Sequence, residues 1–361
     1  MGPGVTVGSP CVGLDIGSSA IKAIVLKQGR KETRLLSFGI EPLPPQTIVD
    51  GAIMDQAAVV EAIGRLRDAL GFRIKACATA IAGHQVIVKK IQLPFMSREE
   101  LEQQIPLEAE QHIPFKRDEV DLDYQIVVEK NAQGQMEIIL VAAKKEMIAD
   151  TTQVIRDAKL QPLVIDVAAF SVQNAFEAAY GEAAAASPVA LIHVGNSITH
   201  VNIIAGGNSV FARDVTVGGA AFTEEIQRRL HVSHDEAEAF KLAACDPVAG
   251  GAAQIPAGVA AVIDEVAETT AAKLQRPLEF FLASAPDVVL TKIYLSGGSA
   301  NVGALLKLLE LRAKVPVEIM DPFRRTLVDA TKLDAGFVKA HAAEAAVAFG
   351  LALRTAGDGP S

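Results

Sequence analysis

The chain has little cysteine, three residues in 361. Cys11, Cys77 and Cys245 are odd in number, scattered, and never form a Cys-x-x-Cys pair. That excludes a disulfide framework and a zinc ribbon and suits a reducing compartment. Basic residues are outnumbered, 34 against 43 acidic, for a formal charge of −9. A surface of that sign repels a phosphate backbone, so no nucleic-acid partner is expected. No apolar run reaches the roughly 18–20 residues of a membrane-spanning helix. The first basic residue is Lys22 and no long apolar run precedes it. A signal peptide is therefore not expected, and any membrane association has to come through a partner. Gly2 with Thr6 fits the myristoylation pattern, which is too short to carry weight alone. Catalytic signatures are missing too: no P-loop, no Gly-x-Gly-x-x-Gly after a strand, no Gly-x-Ser-x-Gly elbow and no His-Glu-x-x-His helix. His231 and His234 have no carboxylate or thiolate at ligand spacing and read as surface residues.

What is present is enough apolar residue for more than one core. Half of the chain is apolar and 21% is charged, a balance that buries well, and the length calls for two lobes or more. Strands alternate with amphipathic helices. Residues 12–16 and 21–26 read as a hairpin around Gly17-Ser18-Ser19-Ala20. Apolar residues recur at helical spacing over 55–70, with Gly71 as a stop, and a strand follows at 77–81. Ser97 with Glu100 forms a capping box that opens a charged helix to His112, ended by Pro114. Two strands, 123–129 and 136–143, and a helix over 145–159 complete what reads as a small inserted α+β unit at 92–164. After an Ala-rich linker at 181–187, the second half opens as the first did, with strands at 189–194 and 199–204 around Gly195-Asn196-Ser197. A strand at 288–295 runs into Gly297-Gly298-Ser299 and a helix over 301–311. Repetition of the strand-turn-strand opening predicts duplicated lobes.

Three glycine turns, each after an apolar strand, hold the chemistry. In Asp15-x-Gly17-Ser18-Ser19-x-x-Lys22, backbone amides and hydroxyls suit phosphate oxygens. Lys22 offsets their charge, and Asp15 can orient a hydrated cation. The same residues also suit an ordinary Gly/Ser hairpin turn. Gly218-Gly219 and Gly297-Gly298 allow backbone to approach a ligand closely, since neither pair carries a Cβ.

These turns, with His193-Val194-Gly195-Asn196-Ser197 between them, occur in the order seen in the actin-like ATPase superfamily of actin, FtsA and the sugar kinases, which the chain resembles. The resemblance implies an α/β, two-lobed, ribonuclease H-like fold that binds ATP or ADP with Mg in the cleft between lobes. Phosphates would lie on Gly17, Ser18, Ser19, Lys22, Gly195 and Asn196. The nucleoside would lie on Gly218, Gly219, Glu238, Lys241, Gly297, Gly298 and Ser299, the Glu238-x-x-Lys241 pair holding ribose and adenine. Asp15 would reach Mg through water, and Asp166, at the start of a helix, would be the second catalytic candidate. Relatives usually carry an Asp where this chain has His193, so metal placement and turnover should suffer while binding survives.

A narrower resemblance covers about residues 11–354. Leu93-Pro94-Phe95-Met96-Ser97, Ile113-Pro114-Phe115, residues 121–125, 141–146 and 166–176, and Asp321-Pro322-Phe323 are similar to the PilM family, the cytoplasmic actin-like components of type IV pilus assembly. That resemblance implies a first lobe at 10–187 carrying the inserted unit, and a second at 188–340 with a helical capping subdomain near 222–285. It further implies a C-terminal helix at 341–354 returning to the first lobe, and flexible tails at 1–9 and 355–361. It implies a scaffold that docks the N-terminal cytoplasmic peptide of a PilN-like membrane protein and links the cytoplasmic motor ATPase to the inner-membrane ring. Self-association is compatible with it, and ATP turnover is at most slow. The inserted unit has more apolar residue than it readily buries alone. Leu107, Ile113, Pro114, Tyr124 and Ile126 are the candidates for lining a peptide groove between this unit and the first lobe, by strand addition and side-chain pockets. Two rival readings share the cradle: a sugar or acetate-type kinase, which would need a catalytic carboxylate in a polar pocket, and an FtsA-like filament protein. The short Gly/Pro-rich end at 355–361 lacks the amphipathic membrane helix expected of the latter.

Overall fold

The structure, a computed structural model, describes residues 11–29, 32–71, 73–181, 187–245 and 257–355. The tails at 1–9 and 356–361 and most of the expected linker lie outside these residues, as does 246–256 within the expected capping subdomain.

The first lobe begins with the expected hairpin, β1 (Val12–Ile16) and β2 (Ala20–Gln28), in which Asp15 stands opposite Lys22. Strand β3 (Thr33–Pro42) extends the meander, and the short pair β4 (Ile48–Val49) and β5 (Ala52–Ile53) leads to α1 (Gln56–Leu70). Asp55 caps α1 by accepting the Ala58 amide, and Gly71 ends it with φ 59°, a left-handed conformation open to glycine at little cost. Strand β6 (Ala76–Ile81) runs parallel to β1. The chain then builds the inserted unit from β7 (Val86–Pro94), α2 (Arg98–His112), β8 (Val120–Val128) and β9 (Gln135–Lys144). It returns through α3 (Lys145–Asp157), β10 (Gln161–Val167) and α4 (Ala168–Tyr180).

The second lobe repeats the plan with β11 (Val189–Val194), β12 (Thr199–Ala205) and β13 (Asn208–Val215), then α5 (Ala220–Leu230), α6 (His234–Cys245) and α7 (Ala257–Ser284). Strand β14 (Lys292–Ser296), α8 (Gly303–Ala313) and β15 (Val317–Ile319) complete it. The chain crosses back with β16 (Thr326–Val328), α9 (Ala335–Ala340) and α10 (Ala346–Ala352). The sheets read β10-β6-β1-β2-β3-β16 and β13-β12-β11-β14-β15. Each places an antiparallel hairpin beside a parallel strand delivered by a helical crossover, which is the duplication expected from sequence.

Strand β2 shows why these strands read as unbroken apolar runs. Ile21, Ala23 and Val25 point to the core under α1 and α3, while Ile24 and Leu26 point to the one under α4 and α10. A strand buried on both faces has no polar alternation to display.

Two boundaries differ from the sequence reading. Strand β10 pairs in parallel with β6, and α3 packs on α1, so both belong to the first lobe and the inserted unit runs from 86 to 144 rather than 92 to 164. Its sheet, β7-β9-β8, is covered by α2 through Leu101, Ile105 and Ala109, one face at four-residue spacing. The capping box of Ser97 and Glu100 is present. The second boundary is the return to the first sheet, made at Thr326, ahead of 341, where β16 pairs with β3.

Helix α10 packs against α4 at Gly350, where a Cβ would lie 1.8 Å from the Ser171 carbonyl oxygen. On its other side a Cβ at Gly13 would lie 2.1 Å from the Ala348 carbonyl oxygen. Backbone cannot yield as a flexible side chain can, so Gly350→Ala is expected to cost about 3 kcal/mol, as overpacking does. Denaturant unfolding checks this, and an unchanged midpoint would contradict the packing described.

Candidate functional site

The tips of the two hairpins meet across the cleft. Ser18 and Ser197 hydroxyls are 2.9 Å apart, and Asn196 Nδ2 donates to Ser18 Oγ at 3.5 Å. Behind them lies a chamber of about 110 Å³ lined by Asp15, Lys22, His193, Asn196 and His200 among others. Lys22 Nζ donates to Asp15 Oδ2 at 3.3 Å. Burial works against the Lys22 charge, but Asp15 and Glu344 outweigh it and raise the ammonium's pKa. A buried cation thus stands at the base of the first hairpin. A Cβ at Gly17 would lie 3.0 Å from the Ala20 carbonyl oxygen and 3.7 Å from Lys22 Nζ, so the glycine serves the tight turn that holds the hairpin tip over the pair.

A row of polar side chains crosses the second sheet. His193 is in register with Ser296 on one side and His200 on the other, and His200 with Asp214. His193 Nδ1 lies 3.0 Å from Ser296 Oγ, and its ring stacks on His200 at 5.7 Å. His200 Nδ1 lies 2.6 Å from Asp214 Oδ1, and Asp214 Oδ2 accepts the Gly83 amide of the first lobe at 2.6 Å. Burial, followed by the His200 and Lys22 charges, pushes the His193 pKa well down, so its imidazole is neutral. Burial also opposes charge on His200, but the Asp214 charge and hydrogen bond, with Asp15, raise its pKa above 6.5. The Asp214 carboxyl is lowered: burial acts upward, and the His200 charge, the His200 hydrogen bond and the Gly83 amide overcome it.

The stabilisation from the His200–Asp214 pair is therefore whole between the ordinary carboxyl value of 3.8 and the ordinary imidazole value of 6.5. It is lost as pH rises from 6.5 through the raised imidazolium value or falls from 3.8 through the lowered carboxyl value. The melting temperature is expected to decline in the parent as pH rises from 6.5 through the raised imidazolium value, and to stay flatter in His200→Asn. A parallel decline in both would show that the pair carries no charge.

The third glycine turn meets the nucleoside candidates. Lys241 Nζ donates to Glu238 Oε2 at 2.7 Å and to Thr223 Oγ1 at 3.2 Å, and Thr223 Oγ1 donates to Glu238 Oε2 at 2.7 Å. Gly219 sits among them, where a Cβ would strike Ser299 Oγ at 2.4 Å. The Gly219 and Ala220 amides donate to the Gly195 and Asn196 carbonyls, each at 2.9 Å, which fastens the start of α5 to the second hairpin. The glycines differ in role. A Cβ at Gly218 would lie 2.4 Å from the Gly195 oxygen, and one at Gly297, with φ 96°, 2.2 Å from the Val194 oxygen. Both serve backbone packing. Gly298 faces open space, its nearest neighbour being Glu344 Oε2 at 3.9 Å.

Asp166 is placed elsewhere. It is buried at the end of β10, its Oδ2 3.3 Å from Arg354 Nε, and the chamber is lined by Ala168 instead. The peptide candidates are also divided. Ile113 is in the inserted unit's core, Tyr124 and Ile126 pack against it, and Leu107 and Pro114 are exposed. The unit's junction with the first lobe is filled by Val86, Ala143, Met147, Val167 and Ala169. An open cleft of about 600 Å³ lies on the other side, between the unit and the second lobe. Sequence reading missed His200, Asp214, Thr223 and Glu344. His200 and Asp214 meet only through the β12–β13 register, which no local spacing announces.

A family model described as "Type IV pilus assembly protein PilM" matches residues 13–356. A solved PilM-PilN type IV pilus biogenesis complex contains a chain 28% identical, with TM-score 0.84, the match covering 96% of this chain and 99% of that one. The ethanolamine utilization protein EutJ of Carboxydothermus hydrogenoformans is 14% identical with TM-score 0.57, over 96% of this chain and 92% of that one. MreB5 of Spiroplasma citri, solved bound to ADP, is 14% identical with TM-score 0.53, over 96% and 95%. The last two matches establish the actin-like fold.

Proposed function

The chain belongs to the PilM family of type IV pilus assembly proteins, and on that premise we propose that it binds ATP between its lobes and docks a PilN-like membrane partner's N-terminal peptide on its inserted unit. One observation carries the first half: two hairpins from different lobes converge beside a buried Lys22, and at Gly219 the second hairpin's Asn196 meets Lys241, paired with Glu238, and Ser299 of the third glycine turn. The residues fit a nucleotide. Lys22, the serine hydroxyls and Asn196 would hold phosphates, while Glu238, Lys241 and the open face of Gly298 would hold the nucleoside. Fit to Mg is narrower, because among the described residues Asp15 is the only carboxylate lining the chamber and no cluster of three or more metal-ligating His, Cys, Asp or Glu groups occurs. Asp15 would hold the ion through water, and bound Mg would neutralise phosphate charge.

A neutral His193 supplies neither a hard anionic ligand nor a strong base there. Slow or absent turnover is therefore expected, each 1.36 kcal/mol of lost transition-state stabilisation costing about tenfold in rate. A multiple-turnover rate near the enzyme-typical value of about 10 per second, abolished by Asp15→Asn, would contradict this.

Docking is supported by the unit's independence, since it has a helix-on-sheet core of its own. No described helix is long and apolar enough to cross a membrane, so attachment through a bitopic partner is the consistent route. The protein then links the cytoplasmic motor to the membrane ring. Calorimetric titration of the full chain with ATP and with a PilN-like N-terminal peptide tests both halves, each expected to bind one-to-one.

A further inference from the structure

Strand β7 is the edge of the inserted sheet, and β13 is the edge of the second-lobe sheet. The two converge near Gly83 and Asp214, and no ladder joins them. Between them opens the cleft of about 600 Å³, with Val210, Phe211 and Phe280 on its second-lobe wall. Phe280 is 62% exposed and its ring lies 6.3 Å from that of Phe211. An aromatic so placed is an anchor point without cover.

The lip of this cleft opposes the sign of the whole protein. Lys89 is exposed, and its Nζ reaches only the His112 carbonyl oxygen, at 3.3 Å. Arg213 is exposed and has no ion-pair partner among the described residues. Lys90 is matched by Glu137 at 2.7 Å, and the one lining acid, Asp214, is held by His200. Two cations thus remain unmatched beside two free strand edges, on a chain with net charge −9.

We propose that this cleft is a second docking site, one that takes an extended acidic segment of a partner protein. The segment adds as a strand to β7 or β13, its carboxylates meet Lys89 and Arg213, and an aromatic or aliphatic residue sits on Phe211 and Phe280. The site shares Pro114 with the peptide candidates, but it rests on the two strand edges and the cations of the lip and does not depend on the PilN-like docking.

The probe is a random-peptide library selected on the full-length protein at low ionic strength. Enriched peptides should carry net negative charge and an apolar residue. The double variant Lys89→Glu/Arg213→Glu, altered only at exposed side chains, should keep its melting temperature and bind them about tenfold or more weakly. Phe280→Ser should weaken them as well. Hydrogen exchange should slow at amides in 86–94 or 208–215 when an enriched peptide is added. The proposal is overturned if the library yields no binders or only neutral or basic ones. It is overturned equally if charge reversal leaves affinity unchanged, which would reduce Lys89 to a guard of an exposed edge. An oligothymidylate that competes at equal affinity would overturn the assignment to a peptide.

Discussion

Gly298→Val is expected to remove detectable ATP binding while leaving the fold intact. The nearest atom to a Cβ there is the tip of Glu344 at 3.9 Å, so the protein itself has room for the new side chain. That room is the space assigned to the nucleoside, and a branched side chain in it clashes with a bound ligand. A loss of at least about a hundredfold is expected, equivalent to roughly 2.7 kcal/mol. Gly297→Val is the contrasting control. Its φ of 96° and the Val194 oxygen at 2.2 Å make it a folding defect. Calorimetry with melting curves separates them: the first variant should melt like the parent without binding, the second should melt early. If Gly298→Val binds ATP as tightly as the parent, the nucleoside site lies elsewhere.

Excision of the inserted unit is expected to abolish docking of the PilN-like peptide and to spare ATP binding. The stems of the unit are adjacent, with Val86 paired to Ala143 and the Lys144 amide donating to the Gln85 oxygen at 3.1 Å. Residues 87–142 can therefore be replaced by a short Gly/Ser link that keeps both stem residues in the junction with the first lobe. The helix and most of the three-stranded sheet leave together with their own core, while the first-lobe sheet keeps all of its strands. ATP binding reports that the remainder is folded. A deletion that still bound the peptide at unchanged affinity would move docking off this unit.

Much of this architecture was legible because it is local. Asp15 and Lys22 flank a short turn, so their pairing follows from a hairpin whose strands the β-branched residues announce. Ser97 and Glu100 announce the start of α2. Gly-Gly pairs after strands located the approach of backbone to the cleft, but spacing could not divide them. Gly218 and Gly297 touch backbone, and only the folded chain shows that Gly298 is the one facing space. The inserted unit's extent was hidden because β7 carries the exposed Lys89 and Lys90 at its middle, which breaks the apolar pattern. The bounds expected for that unit take in residues 161–164, the start of β10, because the strand's partner, β6, lies far back in the chain. The apolar run at 288–290 suggested an early start for β14, although Val289 is exposed and the strand begins at Lys292. His200 and Asp214 were invisible for the same reason as β10, since register across a sheet is not written in spacing.

The central claim is that ATP binds between two lobes through both hairpins at once, and hydrogen exchange of the full-length protein with and without MgATP tests it most directly. Slowed exchange is expected together at 15–22, at 193–198 and at 297–299, from both lobes in one experiment. Exchange unchanged in these segments at saturating MgATP, or slowed in one lobe alone, would contradict it.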